Sequence, residues 1–416
     1  MMSRRAVITG IGIVAPNGIG TEPYWAATRA GQSGIKRITR FDPSRYATQL
    51  AGEVDGFTPT DYIEQRLIVQ TDRWTWMDLA ATKMALDDAG IIPAQEAPYS
   101  MSVVTASGSG GNEFGQREIQ SLWGKGPIFV GAYQSIAWFY AASTGQISIK
   151  HGMKGASGVV ISEAAGGLDA LAQARRAIRR GAEIVVSGAG EAPIGPYALT
   201  CQMQNGRLST RTDPATAYRP FDADASGYIP GEGSAILLVE DLEHALRRGV
   251  TQIYGEVVGH GATQDGYHHA DYAPDGRQFA RAMRLALDSA GIGPGDVDAI
   301  FADASGVPAG DRLEAEAIGA VFGSRAAQIP VTSTKATVGR LYAGGAALDV
   351  ATALLSIRDG VLPPLLNLAQ PAAGCELDFV VGVERPVSLD TVLVNARGYG
   401  GFNSALVVRR FLDDRP

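Results

Sequence analysis

The chain repeats its own patterns, and this internal duplication constrains the fold more than any other feature. Residues 231–242, GEGSAILLVEDL, and residues 400–411, GGFNSALVVRRF, share a Gly-x-x-Ser-Ala-apolar pattern that leads into a strand. A helix pattern followed by a strand pattern over residues 78–111 is similar to the one over residues 278–307. Because this separation is far longer than the period of solenoid repeats, it indicates a duplicated unit.

Each half has the pattern of a sheet covered by helices on both faces. Short apolar runs such as AVITGIGIV and AEIVVSG lack polar alternation, which is typical of strands buried on both sides. The helix patterns over 78–89 and 278–290 are each followed by Gly, the residue favoured just after a helix C-terminus. For the 416 residues we predict an α/β fold of two similar halves, residues 1–250 and 251–416.

Composition excludes several classes of function. A formal net charge of −7 argues against nucleic acid as a partner, since phosphate binding needs a clustered basic face. No apolar run approaches the roughly 18 residues of a membrane span, and the N-terminus shows no secretion signal, so we predict a cytoplasmic protein. Two cysteines, Cys201 and Cys375, exclude a disulfide framework and a cysteine zinc cluster. No metal or other cofactor is predicted.

Residues 158–181, GVVISEAAGGLDALAQARRAIRRG, form a strand pattern, a turn of small residues and a helix pattern. Such a turn often raises a nucleophile to a helix N-terminus, where backbone N–H groups and the helix dipole favour its anion. Here the turn offers neither a thiol nor a hydroxyl, since it consists of Glu163, Ala164, Ala165, Gly166 and Gly167. The pattern predicts an elbow without a nucleophile.

A dinucleotide-binding fingerprint is the first alternative interpretation. Gly10-x-Gly12-x-x-Ala15 follows a strand pattern, as such a fingerprint requires. The helix that should begin there is broken by Pro16, Asn17 and Gly18, and no acidic residue stands at the position that binds the ribose. The sequence therefore disfavours a nucleotide-binding oxidoreductase.

Two adjacent histidines, His268 and His269, lie near Asp265 and Asp271. Neighbouring side chains on an extended chain point in different directions, so they chelate one metal ion poorly. We expect a solvated loop or one that borders a site.

Four arginines, Arg175, Arg176, Arg179 and Arg180, crowd the end of the helix pattern before Gly181. Cations there complement the negative end of the helix dipole, which is the favoured interpretation. A docking surface for an acidic carrier protein is the alternative.

The remaining nucleophile candidate is Cys201 in PYALTCQMQNG. Single cysteines usually behave as small buried hydrophobic residues. Since no glycine-bounded elbow surrounds Cys201, we expect it to be buried and unreactive.

Four collinear segments resemble the β-ketoacyl synthases of the thiolase superfamily. They are RRAVITGIGIVAPNG near the N-terminus, RPFDADASGYIPGEGSAILLVE over 219–240, TSTKATVGRLYAGGAALD over 332–349 and GYGGFNSALVV over 398–408. The resemblance extends from about residue 5 to 411 and implies a five-layered αβαβα fold.

The resemblance also shows what this chain lacks. A condensing ketosynthase uses a cysteine thiolate to carry the acyl chain and two histidines to assist decarboxylation and stabilise the oxyanion. The matching positions are Ala164, Asp303 and Arg340, whereas the acidic Glu314 and the active-site lysine, Lys335, are retained. Arginine cannot act as a base near neutral pH, so we predict that the chain does not condense acyl units.

This pattern resembles the chain length factors, also called ketosynthase β subunits, of bacterial type II aromatic polyketide synthases. SLWGKGPIFVGAYQSIAWFYAASTGQISIKHGMKG and SEAAGGLDALAQARRAIRRG carry the resemblance. It implies a catalytic ketosynthase α partner, an acyl carrier protein and an interface tunnel that sets the length of a poly-β-ketone. Many such factors have Gln where this chain has Ala164, whose methyl group cannot hydrogen-bond an enolate. A self-sufficient acyltransferase or malonyl decarboxylase is the alternative.

The resemblance assigns the tunnel wall to Asn112, Gly115 and Ile119, whose spacing places them on one helical face. A packing stripe would have the same spacing, but Asn and Gly are weak core choices. Gly inside a helix costs about 1 kcal/mol relative to Ala, which indicates a need for space. We predict a roomy tunnel and a decaketide or longer product.

Two further assignments follow from the resemblance. The heterodimer surface is expected at residues 129–149, with Tyr133, Trp138, Phe139 and Tyr140 as aromatic anchors, although buried core elements could use the same residues. The gating loop is expected at Gly400, Gly401 and Phe402.

Overall fold

The computed structural model describes residues 4–412, which form sixteen strands. The strands are Ala6–Ala15 (β1), Gly18–Ile19 (β2), Ile35–Arg37 (β3), Leu50–Gly52 (β4), Met101–Ala106 (β5), Ser157–Val160 (β6), Ile184–Glu191 (β7), Gly233–Asp241 (β8), Gly255–Gln264 (β9), Ala299–Phe301 (β10), Pro330–Thr332 (β11), Val361–Leu362 (β12), Asp378–Phe379 (β13), Arg385–Pro386 (β14), Thr391–Gly398 (β15) and Phe402–Arg409 (β16).

Fourteen α-helices lie in the same described range. They are Thr21–Arg29 (α1), Gln65–Gln70 (α2), Arg73–Ala89 (α3), Asn112–Lys125 (α4), Gln134–Ala137 (α5), Ala142–His151 (α6), Gly166–Arg179 (α7), Pro196–Met203 (α8), Pro214–Ala217 (α9), Leu242–Arg247 (α10), Arg277–Ala290 (α11), Pro308–Phe322 (α12), Lys335–Val338 (α13) and Ala343–Asp359 (α14). Short 3₁₀ turns include Pro127–Phe129 and Glu163–Ala165. None of the helices between residues 4 and 412 is long and apolar enough to cross a membrane.

The main sheet consists of two arms with the same topology. One arm has the order β1-β8-β7-β5-β6 and the other the order β9-β16-β15-β10-β11, with β13 added at its edge. In both arms the first three strands pair antiparallel and the last three pair parallel. The arms join where β1 pairs with β9 at Val7↔Glu256 and Ile8↔Gly255. The predicted duplication is therefore present in the fold.

The helices complete five layers. The central layer consists of α7 and α14, which pack on each other and on both arms. On the outer faces, α3 and α6 cover the first arm, while α11 covers the second with α12 beside it. Separate apolar clusters fill the centre and each outer face. The α/β prediction and the αβαβα layering are confirmed.

Equivalent glycine pairs allow the outer helices to approach the sheet closely. A Cβ on Gly10 or Gly12 of β1 would collide with backbone carbonyls of α3, and one on Gly259 or Gly261 of β9 would collide with those of α11. Gly10 and Gly12 lie inside a strand that continues to Ala15, and the next helix begins only at Thr21, after β2, so no helix starts directly at the glycines. The glycines serve helix packing, and the dinucleotide alternative is wrong.

Candidate functional site

The elbow has the predicted strand, turn and helix. Strand β6 ends at Val160, a 3₁₀ turn spans Glu163–Ala165, and α7 begins at Gly166. Glu163 adopts φ of +50°, a left-handed conformation that side chains other than Gly rarely adopt. Ala164 is buried, and its methyl group replaces any nucleophile. A Cβ on Gly167 would collide with the backbone of α14, so this glycine permits the close packing of the central layer.

Two backbone N–H groups converge on one carboxylate oxygen at the elbow. Glu163 Oε2 accepts hydrogen bonds from the N–H of Ala164 at 2.6 Å and from the N–H of Tyr399 at 2.7 Å. Burial raises the pKa of Glu163, and the nearby charge of Arg340 opposes that shift. Sequence reasoning did not identify Tyr399, because the two segments meet only in the folded chain.

The predicted gating loop is a tight hairpin between β15 and β16. Gly398 pairs with Phe402, which leaves Tyr399, Gly400 and Gly401 as the turn. Gly400 and Gly401 have φ of 84° and 87°, left-handed conformations that Gly adopts without steric cost. The side chain of Phe402 is partly exposed.

The structure brings together Asp303 and Arg340, the two residues at which the family resemblance places histidines. Arg340 Nη2 lies 3.2 Å from both carboxylate oxygens of Asp303 and donates to the carbonyl of Arg397 at 2.7 Å. Burial opposes the charge on Arg340, yet Asp303 raises the pKa of its guanidinium further above the usual range. A buried, permanently charged arginine paired with a carboxylate cannot exchange protons as histidines do.

The retained Glu314 supports the turn that carries Asp303. Its carboxylate accepts from the N–H of Asp303 at 2.8 Å and from the N–H of Ala304 at 2.9 Å, and Ala304 has φ of +49°. Burial raises the pKa of Glu314 to about 8, with the charge of Asp303 adding to the shift. Because both hydrogen bonds are to backbone N–H groups of the turn, Glu314 stabilises the conformation of that turn.

The retained Lys335 is engaged within the protein. Its ammonium donates to the Asp349 carboxylate and lies 3.4 Å from the carbonyl oxygen of Ala302. Asp349 also accepts from the hydroxyl of Thr334 at 2.8 Å. Because Lys335 and Asp349 are both buried, the pair joins α13 to α14 and leaves no exposed ammonium.

A cavity of about 20 Å³ remains beside the elbow, room for about one water molecule. The guanidinium of Arg207 stacks on Tyr272 and Tyr399 at 4.3 and 4.9 Å, and that of Arg397 stacks on Tyr272 at 4.5 Å. Arg397 also pairs with Asp265 at 2.6 Å. Arg207, Tyr272, Arg397 and Tyr399 line this cavity and leave little free space in it.

A larger pocket of about 330 Å³ opens on the outer side of Glu163 and Tyr399. Cys201 on α8 lines it, together with Gln204 and Asn205. The thiol is exposed, so the expectation that Cys201 is buried is wrong. The error arises because burial of a single cysteine depends on which elements pack against its helix.

The predicted tunnel residues lie on α4, a helix in which only Phe114 and Gly115 are buried. Asn112 is half-buried, Gly115 is buried and Ile119 is 47% exposed. A Cβ on Gly115 would lie 2.9 Å from Cδ1 of Trp138. The missing side chain of Gly115 therefore makes room for the indole of Trp138 rather than for an open void in this chain.

Helix α4 is anchored at its N-terminus by Asp72, the residue that caps α3. Gly111 provides no side-chain cap, but the N–H of Phe114 donates to Asp72 Oδ2 at 2.7 Å. The other oxygen of Asp72 accepts from the N–H of Trp74 at 3.2 Å and so caps α3. Within α4 only Phe114 and Gly115 are buried, so the position of the helix depends on this end.

An apolar face surrounds α4 and extends through the segment after it. Its most exposed members are Trp123 at 83% and Ile128 at 88%. Others that are exposed include Phe129, Tyr133, Trp138 and Phe139. Tyr140 is half-buried against Gly110. Because none of the four predicted anchors is buried in this chain, the alternative that they belong to a buried core is wrong.

The histidine pair lies in an exposed loop, as expected. The rings of His268 and His269 are 4.3 Å apart, and Nδ1 of His268 lies 3.2 Å from Asp271. Among residues 4–412, no group of three His, Cys, Asp or Glu side chains could hold a metal ion.

Of the four arginines at the end of α7, only Arg175 is buried. Its buried guanidinium lies 3.2 Å from Ser289 Oγ and donates to the carbonyl of Val258, which ties α7 to the second arm. Burial lowers the pKa of Arg175 to about 10. Arg176, Arg179 and Arg180 are exposed at the end of α7.

Comparisons with known proteins agree over nearly the whole chain. Models of the β-ketoacyl synthase N-terminal and C-terminal domains match residues 3–245 and 254–369. The tetracenomycin polyketide synthase ketoacyl synthase beta subunit of Streptomyces glaucescens is 54% identical over 405 residues, covering 97% of this chain and 98% of that protein. The actinorhodin polyketide putative beta-ketoacyl synthase 2 of Streptomyces coelicolor is 50% identical over 408 residues, with the same coverage.

Solved structures also match this chain over nearly its whole length. The ishigamide ketosynthase/chain length factor matches with a TM-score of 0.92 and 30% identity, covering 99% of this chain and 100% of that one. A type II polyketide synthase acyl-carrier protein in complex with its ketosynthase bound to the hexaketide, AntDE:AntF, matches with a TM-score of 0.89 and 28% identity over 99% and 100% of the two chains.

Proposed function

Because this chain belongs to the β-ketoacyl synthase family, and within it to the ketosynthase β subunits or chain length factors of type II polyketide synthases, we propose that it sets polyketide length without condensing acyl units itself. It acts with a catalytic ketosynthase α subunit and an acyl carrier protein. The growing poly-β-ketone stays on the partner and extends into a tunnel shaped by this chain.

The single observation that carries the proposal is the state of the elbow. Ala164 has no atom that can form a thioester, and Asp303 and Arg340 form a buried ion pair. The chain retains the fold of a condensing enzyme and lacks its chemistry, so its contribution to a synthase is geometric.

The apolar face is the proposed contact with the ketosynthase α subunit. A contiguous apolar patch of this kind on a soluble protein marks an interaction surface, and Trp and Tyr are enriched among residues that dominate interface energy. Tyr133, Trp138 and Phe139 are its proposed anchors, with Tyr140 behind them. Two matched structures contain a ketosynthase with a chain length factor or an acyl-carrier protein, which supports these partners.

The proposed tunnel wall is the exposed side of α4 at Asn112, Gly115 and Ile119. The absence of a side chain at Gly115 leaves room for the indole of Trp138 beside the helix. We propose that this arrangement allows a decaketide or longer product. Glycines 400 and 401 and Phe402 form the proposed gating hairpin.

The division into halves at residue 250 and a cytoplasmic location complete the proposal. Residue 250 falls between α10, which ends at Arg247, and β9, which begins at Gly255. The absence of a membrane-spanning helix among residues 4–412 is compatible with the location.

The test is reconstitution with the cognate ketosynthase α and carrier protein, using malonyl-loaded carrier. We expect full-length product only when both subunits are present, and intact-protein mass spectrometry should find the acyl chain on the α subunit alone. Peptide mapping of this chain covers the alternative of a self-sufficient acyltransferase or decarboxylase. Product formed by this chain alone, or an acyl group on Cys201, would overturn the proposal.

A further inference from the structure

The carboxylate of Glu163 occupies the point at the elbow where two backbone N–H groups converge. Two preorganised N–H donors, from Ala164 and Tyr399, reach the same oxygen at 2.6 and 2.7 Å. Acyl-transfer enzymes use such a donor pair at the elbow to bind the oxygen of a reacting carbonyl. The position beside Ala164 is also where a nucleophile on this turn would attack.

The site is closed by more than hydrogen bonds. A Cβ on Gly398 would lie 2.7 Å from the carbonyl oxygen of Ser162 and 3.2 Å from Glu163 Oε2, so the hairpin is pressed against the elbow. Glu163 and Tyr399 also line two cavities, one of about 20 Å³ and one of about 330 Å³. Because both N–H groups already donate to the Glu163 carboxylate, a thioester carbonyl can reach them only if the Glu163 side chain leaves.

We propose that Glu163 confines thioester loading to the partner subunit, because its side chain fills the oxyanion position of this chain's own elbow. Glu163 is thus a residue that determines which of two similar elbows accepts a carrier-bound acyl group. The inference rests on the proposed function, since it assumes a partner with an open elbow. The inference explains why this chain's elbow, although its two N–H donors are intact, does not compete with the partner's elbow for the acyl group.

The test restores a nucleophile and asks whether the oxyanion position is free. In a C201S background, which removes the exposed thiol, A164C is compared with A164C/E163G in the full-length heterodimer. Glycine at 163 removes the carboxylate and readily adopts φ of +50°, so this variant should fold. The probe is S-hexanoyl-N-acetylcysteamine.

The chemical step balances without a further reagent. The sulfur introduced by A164C attacks the carbonyl carbon, a new carbon–sulfur bond forms, and the bond to N-acetylcysteamine breaks. The leaving thiolate takes up the proton lost by the cysteine. Acylation is followed by intact mass and assigned by peptide mapping, which also separates it from acylation of the partner.

We expect A164C to react slowly and A164C/E163G to react at least ~30-fold faster, in keeping with the 10²–10³ range for one oxyanion-hole donor. The matched control is A164C/E163Q, whose amide oxygen can accept the same two hydrogen bonds while the negative charge is lost. Acylation of A164C/E163Q should stay as slow as that of A164C.

Equal rates for A164C and A164C/E163G would overturn the inference. So would fast acylation of A164C/E163Q, because removal of charge rather than of the blocking group would then explain the gain. E163A serves as a second variant if E163G does not assemble with the partner. None of these outcomes depends on polyketide length, so failure here is distinct from failure of the proposed function.

Discussion

The guanidinium of Arg340 lies 3.2 Å from both carboxylate oxygens of Asp303, at the two positions where the family resemblance would place histidines. Both side chains are buried, so the pair replaces an acid–base site by a fixed pair of opposite charges. Such a pair contributes little net stability, but removing one partner leaves an uncompensated buried charge.

The first prediction concerns this ion pair. D303N should lower the free energy of unfolding by about 3–5 kcal/mol, because it leaves Arg340 without its counter-charge. Urea denaturation measures the change. The control is D87N, which breaks the exposed Lys83–Asp87 pair and should cost less than about 1 kcal/mol. If D303N lowered the free energy of unfolding no more than D87N does, the Asp303–Arg340 pair would have to be solvated.

The second prediction concerns the anchor of α4. In D72N the single amide oxygen can still cap α3 at Trp74, but the amide nitrogen cannot accept from Phe114. Hydrogen exchange at the start of α4 should become at least ~10-fold faster, as expected for loss of a charge-assisted hydrogen bond. Products of the reconstituted complex should spread to other lengths.

D78N is the matched control for D72N. Asp78 is equally buried in α3, but its carboxylate accepts from the hydroxyls of Ser143 and Ser234 and has no hydrogen bond to α4. Similar exchange in D72N and D78N would contradict the anchoring role of Asp72.

The third prediction concerns pH. Burial raises the pKa of Asp78 to about 7, from an unfolded value of 3.8, and no cation pairs with it. A raised folded pKa means that the unfolded chain releases the proton first, so this contribution to stability is full below pH ~4 and is lost as pH rises through 7. Between pH 5 and 7, the free energy of unfolding of the wild type should fall by about 2 kcal/mol relative to that of D78N. A parallel pH profile for the two proteins would show that Asp78 does not titrate in this range.

The fourth prediction concerns the apolar face. F139R should weaken assembly with ketosynthase α at least ~10-fold, because it buries a charge where aromatic contact is expected. V383R is the control, since Val383 is 75% exposed and lies outside the proposed face. Dissociation constants can be measured by analytical ultracentrifugation. Equal assembly of both variants would place the interface elsewhere.

Much of the fold could be predicted because it depends on local and repeated patterns. The duplicated patterns at 231–242 and 400–411 became the equivalent strands β8 and β16, and both helix patterns formed where their glycines end them. The motif at Gly10 and Gly12 was ambiguous on its own, since close packing and phosphate binding both need glycine. Only the continuation of β1 to Ala15 decides between them.

The site could be predicted in part. The missing nucleophile was evident from the residue types at the elbow. The bond from Tyr399 to Glu163, which joins residues 236 positions apart, could not be read from either segment. Likewise, the contact of Trp138 with Gly115 depends on how the segment after α4 folds back. These contacts between distant segments determine what the inherited site can still bind.

The most direct test of the central claim is the length of the product when Gly115 is enlarged. The side chain introduced by G115W would collide with Trp138 in its present position, so we expect the added bulk to narrow the proposed tunnel. The control is G124W, nine residues further along α4 and therefore on the opposite side of the helix, where a Cβ meets no atom within 4 Å. With wild-type ketosynthase α and carrier protein, we predict shorter polyketides from G115W, and the wild-type length from G124W, by mass spectrometry. An active G115W complex that makes products of unchanged length would contradict the claim that this chain measures the polyketide with α4.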